Sequence, residues 1–307
     1  MGELRWKQTP NGQGSLFEPT RRVVGRGAYT GLTFHEVEAR SIINAAPPGT
    51  PWFDYTINAY RGCSHACTYC FARPTHEYLG FNIGNDFDNQ IVVKVNAVEL
   101  VRNETAPGKW TGASIAMGTN TDPYQAAEGK YKLTRGIIEA LVERGNPFSI
   151  LTKSPLVIRD IDLLVEAVDK TDVSVSFSVA TLDEDVWRRT EPGTAHPQKR
   201  LDALARLREA GVSGGVMMAP LLPGISDHPA QIEAVRRAAR DAGAGWCAKV
   251  NLHLRGVRSH FLDWLESDSP HLMNEYLARY PENTRRKQVS RPVKKDGQLS
   301  LDLSATS

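Results

Sequence analysis

Residues 61–70 read Arg61-Gly62-Cys63-Ser64-His65-Ala66-Cys67-Thr68-Tyr69-Cys70, a C-x3-C-x2-C loop that gathers three of the chain's four cysteines within eight residues. Thiolates so close in sequence can converge from one loop onto a single inorganic centre. Iron–sulfur clusters normally take four cysteine thiolates, so a cubane held by three keeps one iron open to a further ligand. The alternative is structural zinc, with His65, His76 or Cys247 completing a tetrahedron. Zinc fingers usually pair two separated C-x2-C or H-x3-H units, and this chain has no such pair.

On the C-terminal side of the loop, short apolar or β-branched runs alternate with helical stretches. Ile91–Val95, Ser114–Met117, Phe148–Thr152, Val173–Val179, Gly214–Ala219 and Trp246–Leu254 have the form of strands buried on both faces. Between them, Ala97–Glu104, Thr134–Arg144, Arg159–Val168, Gln198–Ala210 and Pro229–Ala242 read as helices, with Leu201, Leu204, Ala205 and Leu207 giving the cleanest amphipathic spacing. Asp54–Asn58, just before the cysteines, adds a further candidate strand. Such alternation implies right-handed βαβ units and a parallel α/β sheet. A full eight-fold barrel takes about 250 residues, so the roughly 200 patterned residues favour a partial barrel of about six units. An open doubly wound sheet is the other arrangement the pattern allows.

Residues 1–50 are rich in Gly, Pro, Ser and Arg with no sustained period, and are expected to form an irregular arm before a barrel over residues 51–280. From residue 281 the chain is expected to be a mobile tail. Residues 285–307 carry six basic side chains against Asp296 and Asp302, a charge of +4 in a chain whose net charge is +2. No apolar run approaches the eighteen or so residues that span a bilayer, and Met1–Pro10 lacks the apolar core of a secretory signal. A cytoplasmic protein with no membrane partner is the expectation.

The loop and the pattern after it resemble a known family. C-x3-C-x2-C with an aromatic, Tyr69, before the last cysteine resembles the signature of the radical S-adenosylmethionine (radical SAM) superfamily, and the alternation resembles its partial (β/α)6 barrel, a TIM-like fold. The strings Asn58-Ala59-Tyr60-Arg61-Gly62-Cys63, Phe71-Ala72-Arg73-Pro74-Thr75-His76 and Gly118-Thr119-Asn120-Thr121-Asp122-Pro123-Tyr124-Gln125 are similar to a bacterial branch related to spore photoproduct lyase. The resemblance implies that Cys63, Cys67 and Cys70 bind a 4Fe-4S cluster whose open iron chelates S-adenosylmethionine. It also implies one-electron cleavage of that cofactor to a 5′-deoxyadenosyl radical, with a reductant such as flavodoxin or ferredoxin as partner.

Cofactor-binding candidates follow from the barrel, whose ligands sit at the carboxyl ends of strands. Gly118, Thr119, Asn120, Thr121 and Asp122 form a polar turn placed where similar enzymes hold the methionine amino group, though such residues also make ordinary Asx-turns. Lys153 ends a predicted strand and can neutralise a carboxylate. Ser178 matches a lyase serine that resembles a cofactor contact, and Tyr69 is expected near adenine. Arg200, in the matched stretch Glu191–Arg200, is expected either to grip the methionine carboxylate bidentately or to make a surface salt bridge to Glu191. Arg61, Arg73 and His76 flank the loop and are expected to tune it. Cys247 is the candidate hydrogen donor to a substrate radical, against the simpler reading of a buried packing residue.

The resemblance speaks to the cofactor more than to the substrate. A nucleic acid, a small metabolite or peptide, and a non-catalytic metal-stabilised binding role all remain open. The basic tail offers charge for a nucleic acid. Gln298-Leu299-Ser300-Leu301-Asp302-Leu303 resembles the short peptide by which bacterial DNA-maintenance proteins dock on the replication sliding clamp, with Gln13-Gly14-Ser15-Leu16-Phe17 a weaker echo.

Overall fold

The computed structural model describes residues 19–282 except Pro48 and Pro51. Eleven strands occur among them: β1 (Arg21–Val24), β2 (Thr33–Val37), β3 (Ile43–Ala45), β4 (Tyr55–Ile57), β5 (Tyr60–Arg61), β6 (Gln90–Lys94), β7 (Ile115–Met117), β8 (Phe148–Thr152), β9 (Val173–Ser178), β10 (Val216–Leu221) and β11 (Cys247–Asn251). They form two sheets.

The larger sheet has the order β11-β10-β9-β8-β7-β4-β3. From β4 to β11 all neighbours are parallel, and only β3 at the edge runs antiparallel to β4. The six parallel strands follow chain order with no reversal. Successive right-handed crossovers then lay all connecting helices on one face and curl the sheet around the other, which is the (β/α)6 form; a doubly wound sheet requires a reversal. Strands β7 to β10 are short and largely buried because both faces are covered, whereas β11, within the run Trp246–Leu254 expected to be buried, lies at the sheet edge with Lys249, Val250 and Asn251 exposed. Ile115, Ile150, Val175, Phe177, Val216 and Met218 are buried in one core with Leu201, Leu204 and Leu207 of the helix Pro197–Glu209.

Two expectations are corrected. Ile91–Val95 does not open the larger sheet: this run forms β6, which belongs to a smaller sheet of order β1-β2-β6-β5. The first parallel strand is β4, within the additional run Asp54–Asn58, so the count of six holds with a different member. Residues 19–47 are not irregular throughout either, since β1, β2 and β3 lie there and β2 pairs in parallel with β6. Residues 1–18 and 283–307, with both clamp-like peptides and most of the expected tail, lie outside the described residues. The helices Glu184–Thr190, Arg258–Asp268 and Met273–Arg279 were not expected from the sequence; the last two pack through Phe261, Leu265 and Tyr276 in a second core that includes Cys67 and Tyr69.

Candidate functional site: the cysteine loop and the ends of the parallel strands

The loop leaves β5 through Gly62, whose φ of 75° is left-handed. A Cβ there would lie 2.8 Å from both the His76 ring and the Phe87 carbonyl oxygen, so the residue type is fixed by conformation and by space. Cys63 N–H donates to Phe87 O at 2.9 Å, and Thr121 Oγ1 and Gln125 Nε2 donate to Gly62 O at 2.7 and 2.9 Å. The Gln125 side chain also accepts from Ser64 N–H at 3.1 Å. Arg73, 1% exposed, closes the far side: Nε and Nη2 donate to Cys67 O at 3.1 and 3.0 Å, and Nη2 pairs with Asp88 at 2.9 Å. Of the flanking residues expected to tune the loop, Arg73 thus acts on its backbone, whereas the His76 ring only lies beside Gly62. His76 is fully buried, with Nε2 on Gln90 O at 2.9 Å.

The polar turn after β7 is turned toward the loop. Gly118 has φ 95°, and a Cβ there would fall 1.9 Å from Leu151 O on the neighbouring strand. Thr119 Oγ1 accepts from Asn58 Nδ2 at 3.3 Å and Asn120 N–H donates to Asn58 Oδ1 at 3.1 Å, tying the turn to the strand that precedes the cysteines. Asp122 accepts from Tyr124 N–H (2.8 Å), Thr152 Oγ1 (2.7 Å) and Lys153 N–H (2.7 Å), and lies 3.4 Å from His65 Nδ1. Burial alone would raise the Asp122 carboxyl, but His65 and these donors hold it below the usual range. Thr121 and Asp122 are therefore engaged in holding the loop and the end of β8 together.

Lys153, Ser178, Tyr69 and Arg200 come together around Glu191, which opens the lyase-like stretch Glu191–Arg200 and was expected as a surface partner of Arg200. Lys153 Nζ donates to Ser178 Oγ at 2.7 Å and to Glu191 Oε1 at 2.9 Å, and lies 5.6 Å from the centre of the Tyr69 ring. The Tyr69 hydroxyl donates to the same carboxylate oxygen. On the other oxygen, Arg200 Nη2 sits at 2.7 Å. Arg200 also donates to Ala195 O, Ser178 O and Thr194 Oγ1 at 2.8, 2.8 and 2.6 Å. Glu191 is 3% exposed and Arg200 0%, so the expected surface bridge is a buried one, and the guanidinium is spent on protein partners. Burial would raise Glu191, but the Arg200 and Lys153 charges override it and hold the carboxylate well below its ordinary range.

Cys247 stands apart from this assembly. It pairs across the ladder with Val216, which pairs with Phe177, whereas Ser178 pairs with Met217. Side chains alternate along a strand, so Cys247 points to the face opposite Ser178 and Lys153. Its electrostatic neighbours are Arg236 and Glu233, on the helix Pro229–Asp241. This placement corrects the expectation of a hydrogen donor at the cofactor and agrees with a packing role.

The residues present fit an iron–sulfur cluster. All three thiols of the loop are desolvated: burial pushes Cys67 up to about 12, raises Cys70, and together with the Asp122 and Cys67 charges raises Cys63 further. Buried thiols of this kind ionise only when a metal centre takes up the charge. Thr68 Oγ1, between the second and third cysteines, is buried with no hydrogen-bond partner among the described residues. Among those residues no three His, Cys, Asp or Glu side chains converge as the ligands of one small ion would. A multi-iron cluster does not require that, because each thiolate meets its own iron.

Comparison with known proteins agrees with the fold. The Radical SAM superfamily profile matches residues 57–234. An uncharacterized protein of Mycobacterium tuberculosis is 46% identical over 261 residues, 84% of this chain and 77% of that one. The radical SAM Nalpha-GlyT isomerase of Pseudomonas phage M6 is 30% identical over 167 residues, 54% of this chain and 32% of the isomerase. A point variant of spore photoproduct lyase superposes with a TM-score of 0.55 at 20% identity, covering 76% of this chain and 65% of the lyase, so this chain spans just under two thirds of that structure. With its profile matched over more than half the sequence, from β4 into the helix after β10, the chain belongs to the radical SAM superfamily.

Proposed function

We propose that this protein is a radical SAM enzyme in which Cys63, Cys67 and Cys70 hold a 4Fe-4S cluster and the strand ends beside them hold S-adenosylmethionine. When bound, that pair supplies a one-electron reductive cleavage giving methionine and a 5′-deoxyadenosyl radical. The observation that carries the reading is one buried loop presenting three cysteines beside the Lys153–Glu191–Arg200 group, at the carboxyl ends of six parallel strands.

The chain's own residues have separable tasks in this reading. Arg73, Gln125, Thr121 and the Asp122–His65 pair hold the loop in shape. Lys153 presents a compact positive charge at the strand ends, with Ser178 and Tyr69 beside it, for the methionine carboxylate and the adenosyl group. Gly118, Thr119 and Asn120 line the turn where the methionine amino group is placed. Arg200 acts through Glu191 and does not itself contact the cofactor. No helix among the described residues is long and apolar enough to cross a membrane.

For the substrate we propose a nucleic acid. Support comes from the likeness in fold to spore photoproduct lyase, solved in complex with a dinucleoside spore photoproduct, and from the +4 segment at residues 285–307. Docking of Gln298–Leu303 on a sliding clamp, and reduction by a flavodoxin or ferredoxin, belong to the same proposal. The test is anaerobic reconstitution with iron and sulfide, then dithionite and S-adenosylmethionine, with chromatography for 5′-deoxyadenosine. Its formation is expected, with turnover raised by irradiated or modified DNA; its absence from loaded protein would reject the reading.

A further inference from the structure

The buried group at the strand ends is not electrically neutral. Lys153 and Arg200 bring two positive charges to one carboxylate, Glu191, and the lysine is only 14% exposed. The carboxylate sits on a turn that is itself fastened to the cysteine loop. Thr68 N–H donates to Thr190 O at 3.0 Å, Gly193 N–H donates to His65 O at 3.1 Å, and the Tyr69 hydroxyl reaches Glu191 directly. The fit leaves no slack, since a Cβ on Gly193 would lie 2.1 Å from Ser64 O. From behind, Arg200 and Trp187 Nε1 hold Thr194 at 2.6 and 2.8 Å. One rigid turn therefore sets both where the lysine ammonium stands and where the loop between the second and third cysteines lies.

We propose that Glu191 is a positioning residue that sets the electrical balance at the cysteine loop, holding the Lys153 ammonium and the Tyr69 hydroxyl against it while offsetting one of two buried cations. The inference rests on the function proposed above. Charges act strongly across a buried site of low effective dielectric, and the potential of an iron–sulfur centre follows the charge around it. Adding an electron makes the centre more negative. A fixed anion nearby therefore opposes reduction, and a fixed cation favours it.

The experiment is an electron paramagnetic resonance redox titration of reconstituted protein without S-adenosylmethionine, so that loss of cofactor binding does not enter. Glu191→Gln keeps size and hydrogen-bonding capacity but removes the charge, and is expected to move the midpoint potential upward. Lys153→Met is expected to move it downward. Glu191→Asp, which keeps the charge while drawing it back, should stay nearer to wild type than Glu191→Gln. Iron content per chain should be unchanged in all three. A loaded Glu191→Gln protein whose potential is unmoved or lowered would overturn the proposal, as would shifts of the same sign in Glu191→Gln and Lys153→Met. Should Glu191→Gln fail to load a cluster, Lys153→Met decides alone: a fall supports the proposal and no shift overturns it. Wild-type protein that loads no cluster would defeat the proposed function itself, which is a separate result from a loaded cluster indifferent to these charges.

Discussion

Two buried ionic groups in this molecule both set a tyrosine hydroxyl and a guanidinium on a carboxylate, and they differ in their balance. Around Glu128, fully buried, the carboxylate accepts from Tyr60 Oη at 2.5 Å and from Thr134 N–H at 2.9 Å, and pairs with Arg159 at 2.6 Å. Asp160, equally buried, takes Tyr124 Oη, Arg135 and Arg159 at 3.1, 3.1 and 2.7 Å. Two buried acids face two bases, and Arg135 is further matched by the exposed Asp162 and Glu139, so no cation there is in excess. That group joins the helices Ala126–Tyr131 and Leu133–Glu143 to the segment Pro155–Asp160, and it touches no cysteine. The Glu191 group has one acid for two bases, and its partners include the residue before the last cysteine of the loop. A balanced group fastens elements together; an unbalanced one beside a thiol loop is suited to receive an anionic ligand.

The sharpest separation of the two regions is by metal content. Replacing Cys63, Cys67 or Cys70 with Ala should abolish iron loading and the brown colour, since a cubane on two thiolates lacks a ligand. Cys247→Ala, on the helix-covered face, should load about four irons per chain like the parent protein. Iron analysis after anaerobic reconstitution checks both.

Glu128→Ala should instead show in stability. Arg159 keeps Asp160, but the buried Tyr60 hydroxyl and the Thr134 N–H lose their acceptor, with a cost of about 1–3 kcal/mol for each buried group left unsatisfied, read from urea unfolding of the metal-free protein. Iron per folded chain should not change. Should Glu128→Ala lose iron in proportion to stability, the division of labour between the groups would be wrong.

Lys153→Ala should leave loading intact and weaken S-adenosylmethionine binding. A charge-assisted hydrogen bond lost costs about 1.5–3 kcal/mol, roughly ten- to a hundredfold in affinity. Equilibrium binding by calorimetry measures it, and unchanged affinity would remove Lys153 from the cofactor site. The smallest expected effect is on pH. Because burial raises all three loop thiols, assembly must release their protons, and loading should become more favourable as pH rises from 7 to 9. Iron uptake that falls over that range would contradict bound thiolates.

What could be read from the sequence, and what could not, divides along range. The cysteine loop is a pattern of eight consecutive residues and β8 a run of five, so both are local signals. The run forming β6 looks the same as a barrel strand because periodicity reports burial and not the partner; its neighbour β2 lies some 57 residues earlier and settles the sheet. Glu191 is 38 residues from Lys153 and 122 from Tyr69, so nothing in its own neighbourhood marks it as their common partner. Cys247 was misplaced for a related reason. The face it occupies depends on its register against Val216, and a shift of one residue would have turned it to Ser178. Gly193 carries a weak signal, a glycine after Pro192, but the close approach that requires it is made by Ser64 on another element.

The central claim is that the three cysteines hold a cubane with an open iron to which S-adenosylmethionine binds. Electron paramagnetic resonance of the dithionite-reduced, reconstituted protein, recorded before and after adding S-adenosylmethionine, tests it most directly. The signal of a single reduced 4Fe-4S cluster is expected, with a shape that changes when the cofactor is added. A signal that does not respond to the cofactor, or protein that takes up stoichiometric zinc and no sulfide, would contradict it.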